Sequence, residues 1–195
     1  MADRPPAVAG LLLAAGAGRR FGGPKALAEI GGEPLVLRAL RILTEAGCAP
    51  IRVVVGAAAE DVSALLPDPA QAVPAEDWAT GMGASLRAGL AALENTEGPV
   101  AALVHLVDLP WVGPEILARV AAHATTETVA RAAYDGVPGH PVLLGRRWWP
   151  EIAETARGDR GARDWLATRA DLRLVECGDL GSGRDVDRQA DLPAP

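Results

Sequence analysis

Short apolar runs alternate along this chain with stretches in which apolar residues recur at helical spacing. Apolar runs bounded by turn residues predict strands that are buried on both faces of a sheet. The predicted strands are Val8–Ala14, Ile51–Val55, Gln71–Ala75, Val100–Val107, Thr128–Ala133, Val142–Leu144 and Leu172–Glu176. The predicted helices are Pro34–Ala46, Glu60–Leu66, Gly83–Leu93, Pro114–His123, Trp148–Ala156 and Gly161–Thr168, with a last helical turn at Arg188–Leu192.

This alternation predicts an α/β fold, because parallel strands need crossover connections that are usually helical. In open α/β sheets the ligand lies beyond the carboxyl ends of the strands. We therefore expect the functional residues in the loops that follow Ala14, Val107 and Leu144. The sequence shows no internal repeat, low-complexity segment or clear linker, and its 195 residues predict a single domain over residues 1–195.

Composition and charge exclude several classes of protein. The formal net charge of −6 argues against a general nucleic-acid binder, which needs surplus basic residues to neutralise phosphates. No run approaches the roughly 18 apolar residues of a membrane span, and the N-terminus lacks the apolar stretch of a signal peptide. Cys48 and Cys177 lie far apart and in no metal-binding spacing, which favours a reduced compartment. The predicted location is the cytoplasm, with neither nucleic acid nor membrane as partner.

The stretch LLLAAGAGRRFGGPKALAEIGG, residues 11–32, sets an apolar run against a loop rich in glycine and arginine. Such a loop after a strand offers backbone N–H groups to phosphate oxygens. It does not match a dinucleotide fingerprint, because Gly22 comes one residue too late and no acid ends the second strand. It does not match a P-loop, because Pro24 intervenes and Ala26 replaces the hydroxyl residue. An oxidoreductase on a dinucleotide-binding fold is therefore not expected.

The same loop resembles the signature loop of nucleotidyltransferases, which transfer a nucleoside monophosphate from a nucleoside triphosphate and release pyrophosphate. Its small residues let the backbone approach the base and ribose, and Arg20 can hold phosphate through a bidentate fork. Lys25 is the only lysine among 19 basic residues, and its ammonium is a compact charge on a flexible stem that suits a triphosphate. Arg20 and Lys25 are expected to act in catalysis. The predicted nucleotide-binding residues of this loop are Leu13, Ala14, Ala15, Gly16, Gly18, Arg20 and Lys25.

An aspartate follows the predicted strand Val100–Val107. Phosphoryl-type transfer needs a divalent metal, and Mg²⁺ is usually held by one or two carboxylates together with substrate oxygens. Asp108 stands at the expected ligand edge of the sheet, so we predict that it binds Mg²⁺ and takes part in catalysis. A second carboxylate is expected from the stretch DVD; Asp187 is preferred as the metal ligand and Asp185 remains the alternative.

Six segments, in order along nearly the whole chain, resemble the molybdenum cofactor cytidylyltransferases and the related molybdopterin-guanine-dinucleotide synthases. They are the loop at 13–25, WATGMGASL at 78–86, VDLP at 107–110, GVPGHPV at 136–142, GDRGAR at 158–163 and DVD at 185–187. The opening loop alone would indicate only a nucleotidyltransferase. The segments GVPGHPV and GDRGA narrow the resemblance to this family.

The resemblance implies a Rossmann-like three-layer α/β sandwich with a mostly parallel mixed sheet, of the GT-A-like nucleotidyltransferase type. It implies a nucleotide-binding half at about residues 1–110 and an acceptor-binding half at about residues 111–195. Gly81 and Ser85 are expected to help hold the nucleotide. His140, Arg160 and Arg163 are expected at the acceptor pocket, although packing within a rigid turn is an alternative role for His140. His105 and the pair Trp148-Trp149 are expected to pack rather than bind ligand.

Such enzymes join CMP from CTP to the terminal phosphate of molybdopterin with Mg²⁺ as cofactor, and a molybdoenzyme or its chaperone is the further partner. The Ala-Ala-Gly form of the loop favours CTP, because the guanosine relatives carry an extra glycine where Ala15 stands; GTP is the alternative. The chain lacks the asparagine that the family often has shortly before Trp78. Two further alternatives are a nucleotidyltransferase for another phosphorylated acceptor and a non-catalytic molybdenum cofactor carrier. The set of Lys25, Asp108 and Asp187 argues against a carrier, which needs no metal site.

Overall fold

A computed structural model describes residues 6–192 of the chain. Its strands are β1 (Val8–Leu13), β2 (Glu29–Ile30), β3 (Glu33–Pro34), β4 (Ile51–Val55), β5 (Ala72–Pro74), β6 (Ala101–Leu106), β7 (Val129–Tyr134), β8 (Val137–Gly145) and β9 (Arg173–Glu176). Its α-helices are α1 (Leu35–Glu45), α2 (Ala59–Leu65), α3 (Met82–Glu94), α4 (Pro114–Ala121), α5 (Trp149–Thr155) and α6 (Arg163–Ala167). Short 3₁₀ turns at Lys25–Leu27, Trp78–Thr80 and Gly158–Arg160 carry several of the candidate functional residues.

The central sheet has seven strands in the order β5-β4-β1-β6-β8-β7-β9. Parallel pairing joins β5, β4, β1 and β6, and β7 pairs in parallel with β9. The strand β8 runs antiparallel to both of its neighbours. The sheet is therefore mixed and mostly parallel, as the sequence predicts.

Helices cover both faces of this sheet and bury two apolar layers. On one face α1, α2 and α4 pack against side chains such as Leu12 and Leu103, which are fully buried. On the other face α3, α5 and α6 pack against the alternate side chains, among them Leu11 and Val104. Side chains of a strand point alternately to opposite faces, so each strand contributes to both layers. The predicted three-layer α/β sandwich is confirmed.

The predicted elements agree with the observed ones within a few residues, with β8 as the main exception. The sequence predicts a strand at Val142–Leu144, whereas β8 begins at Val137. His140 therefore lies in a strand and not in the rigid turn that the neighbouring Gly139 and Pro141 suggest. The hairpin formed by β2 and β3 was not predicted.

The antiparallel direction of β8 overturns one expectation about the functional edge. Leu144 pairs with Ala102 near the amino end of β6, so the loop after Leu144 lies at the edge opposite the carboxyl ends of the parallel strands. Apolar periodicity does not distinguish parallel from antiparallel strands, which is why the sequence placed this loop wrongly. The amino-terminal part of β8 lies at the functional edge instead.

The first residues of β8 extend beyond the end of β6. Val142 is the first residue of β8 that pairs with β6, whereas Val137 and Pro138 pair only with β7. Proline is tolerated where a strand has a free side, because no ladder hydrogen bond is lost there. This overhanging segment forms a wall beside the carboxyl end of β6.

Candidate functional site

The loop after β1 is closed by glycine. Gly18 has a φ of +57°, and its carbonyl accepts the backbone N–H groups of Gly22 and Gly23 at 2.9 and 3.2 Å. A Cβ atom at Gly18 would lie 1.9 Å from the carbonyl oxygen of Gly23, so a side chain cannot be accommodated there without moving the loop. The closed loop leads directly into the turn that begins with Lys25.

A first cavity, of about 450 Å³, opens above this loop. A Cβ atom at Gly16 would meet nothing within 4 Å, so this glycine leaves open space for a ligand. The predicted nucleotide-binding residues that line the cavity are Leu13, Ala15, Gly16, Gly18, Arg20, Lys25, Gly81 and Ser85. Ala14 does not line it, because its side chain is 1% exposed and packs in the core on the opposite face of the sheet.

Gly81 places the start of α3 against the second half of the chain. Its φ is +117°, and a Cβ atom there would lie 2.4 Å from the carbonyl carbon of Gly158. This close approach of two backbones needs a residue without a side chain. It brings the turn that contains Asp159 to the rim of the first cavity, opposite the glycine-rich loop.

Four of the predicted residues meet in one cluster of charges at the carboxyl ends of β1 and β6. Lys25 Nζ lies 2.7 Å from Asp108 Oδ2 and 3.7 Å from Asp187 Oδ1, and Arg20 Nη1 lies 2.6 Å from Asp187 Oδ2. The backbone N–H of Val186 donates to the carbonyl of Asp108 at 2.9 Å. This hydrogen bond ties the C-terminal stretch DVD to the end of β6 and so presents Asp187 to the cluster.

The carboxylates of this cluster fit a divalent cation that arrives together with a phosphate ligand. Asp108 and Asp187 already share one positive charge, the ammonium of Lys25. No group of three or more His, Cys, Asp or Glu side chains within residues 6–192 could hold a metal. Mg²⁺ is commonly bound by one or two carboxylates, with phosphate oxygens and waters completing its shell. Asp185 lines a second, adjoining cavity and forms no ion pair within 4.0 Å in the described part of the chain.

A second cavity, of about 460 Å³, adjoins the first. His140, Arg160 and Arg163, the predicted acceptor-binding residues, all line it. Both cavities share a wall made of Leu13, Arg20, Lys25, Met82, Leu106, Asp108, Asp159 and Asp187. The charge cluster therefore lies at the junction of the two cavities, where a group bound in one can reach a group bound in the other.

The surroundings of His140 favour the neutral form of its side chain. Burial lowers the pKa of His140 to about 3, and the nearby charges of Arg131 and Arg163 act in the same direction. The carbonyl of His140 accepts a hydrogen bond of 2.7 Å from the hydroxyl of Tyr134, which fixes this part of β8. The imidazole can accordingly donate or accept a hydrogen bond but does not carry charge.

Trp78, Asp159 and Arg131 are three of the lining residues that were not among the predicted site residues. Trp78 lies beside the first cavity and packs so closely on Gly56 that a Cβ atom there would lie 2.5 Å from the indole. Asp159 borders both cavities, and Arg131 lines the second. Trp78 and Asp159 stand inside segments that carry the family resemblance, so a signal for them existed. Arg131 lies in an ordinary apolar strand and had none.

Other aromatic and histidine residues have structural roles. Trp149 is buried and donates its indole N–H to the carbonyl of Leu144 at 2.9 Å. Trp148 packs against Trp165, with ring centroids 6.1 Å apart, and neither member of the pair Trp148-Trp149 lines a cavity. His105 is buried as expected, but its Nδ1 has no hydrogen-bond partner among residues 6–192.

A glycine-closed loop and an acidic strand end at the edge of a mostly parallel sheet are the features of a nucleotidyltransferase. The chain belongs to the family described as MobA-like NTP transferase domain, whose profile matches residues 10–174. Among curated proteins, nicotine blue oxidoreductase of Paenarthrobacter nicotinovorans is 38% identical over 192 residues, with 93% of each chain covered.

Solved structures agree with this assignment. Rv0371c of Mycobacterium tuberculosis H37Rv is 26% identical, with 96% of each chain covered and a TM-score of 0.81. The same protein in complex with manganese is 25% identical, with 88% of each chain covered and a TM-score of 0.73.

The helices of residues 6–192 include none that is both long enough and apolar enough to cross a membrane.

Proposed function

We propose that this protein transfers CMP from CTP to the phosphate of molybdopterin, the organic part of the molybdenum cofactor, and releases pyrophosphate. The observation that carries the proposal is the position of the charge cluster at the junction of two cavities of similar size. A transferase needs one pocket for the donor and one for the acceptor, with the groups that stabilise the transferred phosphate between them.

The first cavity takes the nucleotide in this proposal. The backbone of the loop at 13–18 approaches the base and ribose, and Gly81 and Ser85 close the opposite side. Arg20 and Lys25 bind the phosphates, exchanging their present contacts with Asp187 and Asp108 for phosphate oxygens. The chain thus functions as one domain over residues 1–195, with Asp187 contributed to the nucleotide pocket by the acceptor-binding half.

Asp108 and Asp187 would hold Mg²⁺, which would offset the negative charge of the phosphates when bound. The acceptor phosphate needs no general base, because a phosphate monoester is already ionised at neutral pH. One of its oxygens forms a bond to the α-phosphorus while the bond from the α-phosphorus to the oxygen bridging the α- and β-phosphates breaks, and that electron pair leaves with pyrophosphate. Arg20 and Lys25 stabilise the charge that develops on the leaving group.

The second cavity takes the acceptor in this proposal. Its walls combine apolar side chains, among them Val142 and Leu166, with the neutral imidazole of His140 and the guanidinium of Arg163. Such a lining suits a flat organic body that carries a phosphate. The receiving molybdoenzyme or its chaperone would take the product from this side.

The choice of CTP rests on Ala15. Its methyl group lines the first cavity and lies close to Gly56. The guanosine relatives are expected to carry a glycine at the position of Ala15.

Thermal unfolding of the protein with CTP, GTP, ATP and NAD, each with and without Mg²⁺, tests the proposal directly. A Mg²⁺-dependent stabilisation that is largest with CTP is the expected result. Preference for GTP would change the product but not the chemistry, and no stabilisation by any triphosphate would refute the transferase and favour the non-catalytic cofactor carrier.

An oxidoreductase is the second candidate function, because a relative that is 38% identical over nearly the whole chain carries that name. The glycine spacing argues only against a dinucleotide-binding fingerprint and not against redox chemistry on the present fold. Stabilisation by NAD alone, without any effect of CTP and Mg²⁺, would favour this candidate. Formation of pyrophosphate from CTP and molybdopterin would favour the transferase.

A further inference from the structure

The far side of the second cavity carries two positive charges that have no anionic partner in the described chain. Arg131, on β7, and Arg163, the first residue of α6, both line this cavity. Neither guanidinium forms an ion pair within 4.0 Å in the described residues, whereas Arg160 beside them pairs with Asp164 at 3.1 Å. Arg160 is therefore compensated, and Arg131 and Arg163 are not.

Arg131 is held in place by the protein itself. Its Nε donates to the carbonyl of Gly139 at 3.0 Å, which fixes the plane of the guanidinium against the overhanging part of β8. Neither terminal nitrogen of the side chain has a hydrogen-bond partner within residues 6–192. A fixed guanidinium with two free terminal nitrogens can bind an oxyanion through two parallel hydrogen bonds.

The two arginines line the same cavity and carry like charges. Burial lowers the pKa of Arg131, and the charge on Arg163 lowers it further. The neutral imidazole of His140 next to them offers no compensation. A half-buried positive charge beside a second one is unfavourable unless an opposite charge joins them, so the arrangement is stabilised when an anion binds.

The strand order separates an anion bound at Arg131 from the phosphate that reacts at the charge cluster. Arg131 lies on β7, and β8 separates β7 from β6, the strand that ends at Asp108. Neighbouring strands lie about 4.8 Å apart, so β7 is roughly 10 Å from β6. The lining contributed by β6 and β8 includes the apolar side chains of Val104, Val142 and Leu144.

We infer that Arg131 and Arg163 form a second anion-binding subsite, and that the acceptor carries an anionic group there, on an apolar body, two strands away from β6, at whose end its phosphate reacts. The inference rests on the proposed function in assigning this cavity to the acceptor. It makes Arg131 a residue that selects the acceptor, because a compound with only the reacting phosphate would leave the two arginines unpaired.

Tungstate, a tetrahedral oxyanion that can be located by its anomalous scattering, is a suitable probe. Equilibrium dialysis would measure tungstate binding to the full-length protein, and diffraction from soaked crystals would locate it. We expect a site between Arg131 and Arg163, and a loss of affinity of about tenfold or more in both Arg131→Met and Arg163→Met. Arg52→Met is the matched control, because Arg52 is also a half-buried strand arginine that contacts only a carbonyl. Arg52 lies on β4 and lines neither cavity, so its loss should leave tungstate binding unchanged.

Two outcomes would overturn the inference. One is tungstate found only beside Arg20 and Lys25, and the other is unchanged binding in Arg163→Met, a surface substitution that does not endanger folding. The same variants are then tested for stabilisation by CTP and Mg²⁺, which should persist because the first cavity is intact. If the variants lose tungstate binding but the wild type does not bind CTP, the subsite is upheld and CTP as the nucleotide is refuted. The two failures are therefore distinguishable.

Discussion

Gly16 and Gly18 stand two positions apart in the loop after β1, yet a side chain would have a different effect at each. Gly18 adopts a left-handed conformation, and the carbonyl of Gly23 occupies the space that a Cβ atom would need. Gly16 has neither constraint and simply leaves room in the cavity. The first glycine therefore serves the ligand, and the second serves the fold of the loop.

This difference predicts opposite behaviour for two alanine variants. Gly18→Ala should lower the free energy of unfolding by about 1–3 kcal/mol, because it forces strain on the loop, and should abolish CTP binding as well. Gly16→Ala should unfold like the wild type and weaken only CTP binding, because its methyl group projects into the cavity. Chemical denaturation and calorimetric titration with CTP measure the two effects. Equal loss of stability in both variants would contradict the assignment.

Asp108 is the residue on which turnover should depend most. Asp108→Asn keeps the size of the side chain and removes the charge that faces Lys25, while Lys25 retains Asp187 at 3.7 Å. We expect turnover to fall by on the order of 10²-fold or more with the fold intact. Pyrophosphate release and circular dichroism would be measured together, with Asp61→Asn, an exposed position on α2 outside both cavities, as the control. Near-normal activity in Asp108→Asn would exclude Asp108 as a metal ligand.

The sequence predicted which charged residues lie at one edge of the sheet, but not which of them contact one another. Arg20, Lys25, Asp108 and Asp187 were predicted from the loop and the strand ends, and the structure brings all four together. That Lys25 pairs with carboxylates in the free protein could not be predicted, because it depends on where residues more than eighty positions apart meet. Arg131 was missed for the same reason.

At the scale of elements, β8 shows where a usable signal was overlooked. The residues Asp135 and Gly136 both have positive φ, 51° and 77°, and form a tight turn between β7 and β8. An Asp-Gly pair between two apolar runs is a strong local signal for a β-hairpin. It would have given both the early start of β8 and its antiparallel direction. The prolines and glycine that follow obscured it, because they are unusual inside a strand.

The same turn is fastened to β9 by one carboxylate. Glu176 accepts backbone N–H groups from Asp135, Gly136 and Gly178 at 3.0, 3.0 and 2.8 Å. The hydrogen bonds from Gly136 and Gly178 hold the pKa of Glu176 below its ordinary value of 4.5. The ionised form is thus favoured in the folded protein, and β9 and the hairpin are joined through it.

Removal of this charge should alter how stability depends on pH. A carboxylate with a lowered pKa stabilises the fold above pH 4.5, and its contribution is lost as pH falls through the lower pKa of the folded state. Glu176→Gln should therefore melt at a lower temperature than the wild type at about pH 7, with the difference shrinking in acid. Thermal melts across this range measure the effect, and a difference that grows in acid would refute it.

For the molecule as a whole, the buried histidine His105 should make the fold sensitive to mild acid. Burial lowers the pKa of His105 from 6.5 to about 4, so the unfolded chain takes up a proton in this range before the folded protein does. Stability should therefore be complete above about pH 6.5 and decline as pH falls toward about 4.

His105→Leu tests this acid sensitivity. The substitution removes a titrating group whose Nδ1 has no partner in the described structure, so stability near pH 7 should change little and its decline between about pH 6.5 and 4 should become shallower. Melting temperatures over this range would be compared with those of His123→Gln, in which a partly exposed histidine is lost. An unchanged slope in His105→Leu would show that His105 is not the titrating group.

The isolation of Lys25 gives the protein a built-in chemical reporter. Lys25 is the only lysine of the chain, so an amine-reactive reagent meets a single ε-amino group. That amine is enclosed between Asp108 and Asp187, with 15% of its side chain exposed. The rate at which one lysine peptide becomes labelled therefore reports the occupancy of the whole site, with no engineered probe and no competing signal from other lysines.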